Sequence, residues 1–182
     1  MNNEKMKLKN TEIRLISELM KNSRRSDREL ARCIHVSQPT ITRTRQKLQN
    51  EGYFKEYTLI PRFSKLGYTL LAVTFVKFRE SLTVDQADRE KEVIRECLKK
   101  NHKEILMFEK GMGLGYDGIV ISIHRDYSSF LDLKKQLATF ETLKISNGES
   151  FIVNLKDTIR YRPLTLSNLA EHMLTIHEKV LS

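Results

Sequence analysis

The spacing of apolar residues predicts two differently built halves of the chain. In residues 11–21 the apolar positions recur every three or four residues, which predicts an amphipathic helix. Asn10 or Thr11 can serve as its N-cap. The apolar face of this helix comprises Ile13, Ile16, Leu19 and Met20.

Capping signals predict a second and a third helix directly after the first. Ser26 followed three residues later by Glu29 is a capping box, and the helix that it begins stops near His35. Ser37 caps a third helix, which runs to Gly52, a residue type that is common just beyond a helix C-terminus.

These two helices and their short turn are typical of a helix-turn-helix motif. Ala31 is the small residue that closely crossing helices need, and Ile41 and Leu48 face the first helix. The outward positions then hold side chains that can hydrogen-bond base edges or phosphates. The candidate DNA-binding residues are Ser37, Gln38, Thr40, Thr42, Arg43, Gln46, Lys47, Arg32, Arg28, Arg25 and Lys55, with Arg24 beside them.

The distribution of charge supports a polyanionic partner for this part of the chain. The formal net charge of the whole chain is +9. Residues 1–67 hold 15 Lys and Arg against 7 Asp and Glu, whereas residues 68–182 hold 17 against 16. Charge confined to one region indicates a nucleic-acid or membrane-surface partner, and the helix-turn-helix pattern favours DNA.

Strand signals dominate the second half. Residues 53–60 predict a strand that follows the third helix, and 61–68 a linker. The later pattern predicts the order β-α-β-β-α-β, which is ferredoxin-like. Its segments are strand 69–79, helix 86–100, strands 104–110 and 117–124, helix 127–140 and strand 150–157.

A final apolar stripe, from Leu166 to Val180, repeats at 3-4-3-4 spacing and predicts a C-terminal helix. This helix can pack on its own domain or on a partner subunit, and the spacing allows both. We therefore divide the chain into four parts. They are a helix-turn-helix domain (1–60), a linker (61–68), a ferredoxin-like domain (69–163) and a helical extension (164–182).

Most of this pattern resembles the leucine-responsive regulatory protein/AsnC family of bacterial and archaeal regulators. The resemblance covers roughly residues 8–160 and includes the β-α-β-β-α-β region. The matching features are Glu29-Leu30-Ala31, Val36-Ser37, Pro39-Thr40, Leu48, Glu51-Gly52, Tyr57, Leu66-Gly67 and Gly115-Tyr116-Asp117.

The resemblance implies an α+β protein with a winged or extended helix-turn-helix domain and a ferredoxin-like domain for assembly and ligand sensing, to which this chain adds the predicted C-terminal helix. It implies double-stranded DNA as partner, a homodimer or higher homo-oligomer, and an amino acid or similar small molecule as effector. The candidate effector-binding residues that it implies are Gly113, Gly115, Tyr116 and Asp117.

The sequence departs from the family pattern at several points. His35 stands where the family usually has Gly, and Arg45 where an apolar residue of the third helix is usual. The stretch 80–92 is longer than usual, and the tail after about 163 is additional.

No other motif indicates catalysis or a cofactor. Gly113-x-Gly115-x-x-Gly118 spells a dinucleotide-binding pattern, but a strand follows it where a helix is required, so we interpret it as a loose turn or a ligand loop. Cys33 and Cys97 are far apart, and the histidines lack metal-ligand spacing, so we expect no disulfide, metal or catalytic residue. Without an apolar membrane span or a signal-type N-terminus, we expect a cytoplasmic protein that does not bind membranes.

Two alternatives remain open at this point. Proteins similar to this family include tetrapyrrole (sirohaem-type) decarboxylase subunits that keep both domains. A DNA-binding assembly protein that responds to no effector would also fit the sequence.

Overall fold

We analysed a computed structural model of the chain, which describes residues 8–78, 92, 94–96, 98, 100, 102–140, 143–144, 150–158 and 161–181. The elements, in chain order, are α1 (Asn10–Lys21), α2 (Asp27–Ile34), α3 (Gln38–Asn50), a 3₁₀ turn (Phe63–Leu66), β1 (Leu70–Phe78), β2 (Ile105–Gly113), β3 (Tyr116–His124), α4 (Tyr127–Leu137), β4 (Leu143–Lys144), β5 (Ser150–Asn154) and α5 (Ser167–Leu181).

The chain divides into two compact units. The first comprises Met1–Pro61 and Tyr161–Ser182, and the second comprises Arg62–Arg160. The C-terminal segment therefore belongs to the same unit as the first three helices. None of the helices that the structure describes is long and apolar enough to cross a membrane.

In the first unit, α1 is the helix around which the others pack. Every described residue from Thr11 to Lys21 is buried or half-buried. The predicted stripe is only part of this surface, because Leu15 and Ser17 are also fully buried. The buried residues of this core are Leu8, Ile13, Leu15, Leu19, Leu30, Ala31, Ile34, Ile41 and Leu48.

Helix α5 covers part of α1, but mainly through residues that lie beside the predicted stripe. Met173 and Leu174 pack against the core of the first unit, and Ala170 is fully buried. The Ser17 hydroxyl on α1 donates to the carbonyl of Ala170 over 3.2 Å. Of the predicted stripe, Met173 packs against this core, whereas Leu166, Leu169 and Ile176 are exposed, so packing of the stripe within the chain is confirmed at Met173 alone among its described residues.

Two local expectations in this unit are wrong. The N-cap of α1 is Lys9 and not Asn10 or Thr11, because Glu12 supplies the capping interaction and accepts from the Lys9 backbone N–H over 2.7 Å. Residues 53–60 form no strand and no wing, because a strand needs a neighbour to pair with and the described chain of this unit offers none.

The second unit is an antiparallel sheet that α4 covers on one face. The strand order is β2-β3-β1-β5, and the short β4 also pairs with β1. Because the last predicted strand lies beside the first, the ferredoxin-like prediction is confirmed. Val76 and Val120 of the sheet pack with Leu133 and Leu137 of α4 in the core of this unit.

The predicted helix 86–100 is described only in part. Glu92, Ile94–Glu96, Leu98 and Lys100 are helical, and Leu98 packs against the core of the second unit. The remainder of this prediction, and nearly all of the long stretch 80–92, lies outside the described residues.

We predict that Ala170→Leu destabilises the first unit by about 1–3 kcal/mol, because added methyl groups cannot fit at a fully buried contact between α5 and α1. Urea denaturation of the full chain measures this change. The matched control is Glu171→Leu at the next, exposed position, which should change stability by less than about 0.5 kcal/mol. Equal effects of the two substitutions would contradict the packing of α5 on α1.

Candidate nucleic-acid interface

The turn between α2 and α3 begins with a residue in the left-handed backbone conformation. His35 ends α2 with φ 64° and ψ 47°, a left-handed conformation. The turn brings the backbone N–H of Val36 within 3.1 Å of the carbonyl of Ala31. Histidine therefore adopts here a backbone conformation that glycine adopts more easily, at the position where the family usually has glycine.

Side-chain caps fix the starts of both helices. At α2 the Ser26 N–H donates to the Glu29 carboxylate over 2.7 Å, and the Glu29 N–H donates to the Ser26 hydroxyl over 3.3 Å. Hydrogen bonds from the Ser26 hydroxyl and from the Ser26 N–H to the Glu29 carboxylate lower the pKa of Glu29. At α3 the Ser37 hydroxyl accepts from the Thr40 N–H over 3.4 Å. Both predicted N-caps are confirmed.

The face of α3 that is opposite the core presents Arg43 and Gln46. Ile41 and Leu48 are fully buried and define the inner side of the helix. At about 100° per residue, Arg43 and Gln46 lie on the far side, and both are exposed. The Gln46 amide donates to Asn50 over 3.0 Å, which orients its side chain along the helix.

Three other candidates on α3 make contacts within the protein. The Thr42 hydroxyl donates to the carboxylate of Asp27 over 2.7 Å. The Lys47 ammonium donates to Glu12 over 2.6 Å and so joins α3 to α1. The Thr40 hydroxyl lies 2.8 Å from that of Ser37. These side chains are exposed, but their polar groups already have partners.

The basic side chains also differ in their freedom. Arg25 forms an ion pair with Glu18 of α1 and is half-buried. Arg28, Arg43 and Lys55 are exposed and form no ion pair with any residue that the structure describes. Gln38 and Arg32 are exposed as well. Asp27 and Glu12 were not predicted from the sequence. These two carboxylates bind the side chains of Thr42 and Lys47, which are therefore engaged within the protein.

Glu12 is a buried carboxylate that stays ionised. Burial alone raises the pKa of Glu12, but the hydrogen bonds from Lys47 and from the Lys9 backbone outweigh it, so the pKa lies below its usual value. The hydrogen bond to Glu12 raises the pKa of Lys47 in turn. The two shifts describe one ion pair that forms between α1 and α3.

The hairpin between β2 and β3 holds the candidate effector-binding residues. Its turn consists of Leu114 and Gly115, with φ of 54° and 78°, while Gly113 lies at the end of β2. The turn is therefore tight, and the expectation of a loose turn is wrong because the neighbouring glycines extend the strand. Tyr116 and Asp117 follow directly and are half-buried.

Packing explains the last glycine of the Gly113-x-Gly115-x-x-Gly118 pattern. A Cβ at Gly118 would lie 2.8 Å from the backbone oxygen of Glu109 and 3.2 Å from a methyl group of Val76. Strand β3 thus needs glycine where it lies against β2 and β1. Nearby, the rings of Tyr116 and Phe75 lie 5.3 Å apart.

The histidines are more buried than expected. His102, His124 and His177 are each at most 5% exposed, whereas His172 is exposed. Burial lowers the pKa of His124, whose ring lies 2.8 Å from the Ser122 hydroxyl. Within the described residues, no group of three metal-ligating side chains comes together.

Comparison with known proteins matches both units. The profile of the AsnC-type helix-turn-helix domain matches residues 10–49. The chain is 31% identical over 153 residues to the uncharacterized HTH-type transcriptional regulator PH0061 of Pyrococcus horikoshii, covering 80% of this chain and 97% of that protein. It is 37% identical over 86 residues to the HTH-type transcriptional regulator LrpC of Bacillus subtilis, covering 47% and 56%. In three such relatives the matched segment spans 66%, 56% and 63% of their lengths.

Solved structures agree with the fold. The crystal structure of PH0061 superposes with a TM-score of 0.64 at 25% identity and covers 87% of this chain and 99% of that one. A transcriptional regulator of Neisseria meningitidis, NMB0573, in complex with L-Met superposes with a TM-score of 0.68 at 20% identity, covering 89% and 99%.

We predict that Glu12→Gln changes how stability depends on pH. A carboxylate with a lowered pKa stabilises the folded state above its usual pKa of 4.5, and this stabilisation disappears as the pH falls through the lower, folded value. The wild-type protein should therefore be more stable than the variant at neutral pH, and the difference should shrink below about pH 4.5. Urea denaturation at several pH values, with the exposed Glu56→Gln as control, measures it. A difference that stays constant with pH would contradict the role of the ion pair.

Proposed function

The chain belongs to the Lrp/AsnC family of transcriptional regulators, and we propose that it regulates transcription by binding specific sequences of double-stranded DNA through the outer face of α3. The observation that carries this proposal is that Arg43 and Gln46 are both exposed on that face. Arginine and glutamine are the side chains that form two hydrogen bonds with guanine and adenine, respectively, in the major groove.

Contacts to phosphates would come from the free cations around α3. Arg28, Arg32 and Lys55 are exposed. Such contacts position a protein on the duplex and make its affinity depend on salt, but they carry little sequence information. We assign base reading to Arg43 and Gln46 and backbone contacts to these three side chains. Gln46 would exchange its hydrogen bond to Asn50 for a base, and Thr42 and Lys47 would have to exchange their contacts with Asp27 and Glu12 for DNA.

We further propose that the second unit makes the protein a homodimer. One recognition helix reads only a few base pairs, so two copies are needed for a longer site. On β1, Ala72 and Val76 are buried on the side of α4, whereas Val73 and Phe75 point to the other face and are half-buried. Phe151, opposite Val73 in the register, is 67% exposed. An apolar sheet face of this kind suits pairing with the same face of a second copy.

The proposed effector is an amino acid that binds near the β2–β3 hairpin, at Gly113, Gly115, Tyr116 and Asp117. The support is the family resemblance together with the Neisseria regulator, whose structure holds L-Met. The ring contact between Tyr116 and Phe75 ties this hairpin to the apolar sheet face, so a ligand there could alter the proposed dimer.

We predict that Arg43→Ala weakens specific binding by about 1–3 kcal/mol and relaxes the choice of sequence at one position, because it removes a base contact. Titration of the full chain with its own upstream DNA and with scrambled DNA, each at two salt concentrations, measures both effects. Lys103→Ala, which removes one positive charge from the second unit, should leave the ratio of the two affinities unchanged. If Arg43→Ala binds the upstream DNA as tightly as the wild-type protein does, Arg43 does not read a base.

We expect one member of a panel of amino acids to raise the melting temperature of the protein, because a ligand that binds only the folded state stabilises it. Tyr116→Ala should abolish that increase. No change across the panel would favour a DNA-binding protein without an effector. A tetrapyrrole is tested separately. A Soret-type absorbance band upon its addition would favour the decarboxylase alternative.

A further inference from the structure

A polar cluster joins α3, which is the recognition helix in the proposed function, to α2. Both carboxylate oxygens of Asp27, the first residue of α2, are in use. One accepts from the Thr42 hydroxyl over 2.7 Å, and the other lies 2.8 Å from the Arg45 guanidinium. Thr42 and Arg45 are three residues apart and therefore lie on the same side of α3.

The cluster extends beyond these two helices. The Arg45 guanidinium also donates to the backbone carbonyl of Arg25 over 3.3 Å, in the segment that leads into α2. The side chain of Arg25 in turn forms an ion pair with Glu18 of α1. One arginine on α3 is thus connected to the start of α2 and, through Arg25, to α1.

Stability alone does not account for this arrangement. The side chains of Arg45 and Asp27 are 25% and 21% exposed, and a single ion pair between partly exposed side chains contributes little to stability. The Nε atom of Arg45 is buried without a hydrogen-bond partner among the described residues, which opposes that contribution. What the geometry does provide is a fixed direction, because two side chains one turn apart on α3 are held by one carboxylate.

We propose that Asp27, Thr42 and Arg45, here called the Asp27 clamp, are positioning residues that set the orientation of α3 so that Arg43 and Gln46 read bases. This inference rests on the proposed function. Arg43 and Gln46 are the immediate chain neighbours of Thr42 and Arg45, so a rotation of α3 that released the clamp would move the reading side chains with it. A small misplacement of a base-reading helix lowers specific binding and leaves phosphate attraction largely intact.

Direct DNA contact by Arg45 is the competing explanation, and salt dependence separates the two. A side chain that neutralises one phosphate contributes about 0.9 to the slope of log affinity against log salt. A positioning residue contributes to the preference for specific DNA but not to that slope.

The experiment measures the affinity of full-length variants for the protein's own upstream DNA and for scrambled DNA across a series of salt concentrations. The variants are Asp27→Ala, Thr42→Val, Arg45→Gln and the double variant Asp27→Ala/Arg45→Gln. Arg28→Gln is the control for a phosphate contact, and Glu56→Ala controls for the loss of one exposed acidic charge. Circular dichroism confirms folding, and Thr42→Val, which keeps the β-branched shape, serves as the mildest test.

We expect each clamp variant to lower the ratio of specific to scrambled affinity by about tenfold, with the double variant no worse than the worse single variant, because coupled residues are not additive. Asp27→Ala also removes a negative charge, which raises the affinity for specific and scrambled DNA alike, so the charge change itself should leave their ratio unchanged, as in Glu56→Ala. The salt slope should change in Arg28→Gln alone.

Different outcomes would overturn different claims. A salt slope lowered by about 0.9 in Arg45→Gln would assign Arg45 to a phosphate and overturn the clamp. An unchanged ratio in folded Asp27→Ala and Thr42→Val, or additive losses in the double variant, would also overturn it while the proposed function stands. A wild-type protein that does not prefer its own upstream DNA to other sequences would overturn the proposed function and the clamp together.

Discussion

The burial of α1 is the constraint on which the first unit depends. Its residues from Thr11 to Lys21 are all buried or half-buried, so the helix packs against more than the two helices of a helix-turn-helix motif. Helix α5 also packs against it and contacts Ser17 through a backbone carbonyl. Because α1 is held in this way, Glu12 can present a buried, ionised carboxylate to α3, and the recognition helix is fixed from the side of α1 as well as from that of α2.

Local signals in the sequence predicted local structure well. Ser26, Ser37 and Gly52 mark helix ends because their interactions are with neighbours in the chain, and the ferredoxin-like order follows from the sequence of elements. Contacts between distant residues could not be predicted in this way. The partnership of Ser17 with Ala170, and the absence of any partner strand for residues 53–60, depend on what the rest of the chain places nearby.

For the candidate site, too, local features could be predicted from the sequence and contacts between distant residues could not. An exposed polar residue on a helix surface is easily predicted, and the residues proposed for DNA binding on α3 are indeed exposed. Whether its polar group is free depends on side chains elsewhere. Asp27 and Glu12 engage Thr42 and Lys47, whereas Arg43 has no such ion pair among the described residues. The net charge of a region therefore overestimates the charge that is available to DNA.

The contact between Ser17 and Ala170 spans 153 positions of the chain. During synthesis, α1 leaves the ribosome long before α5 exists, and the whole second unit is made in between. The DNA-binding unit can therefore complete its core only after the chain has been synthesised past Leu181, since contacts of high sequence separation form late. A nascent chain would not hold a finished DNA-binding unit until α5 had been synthesised.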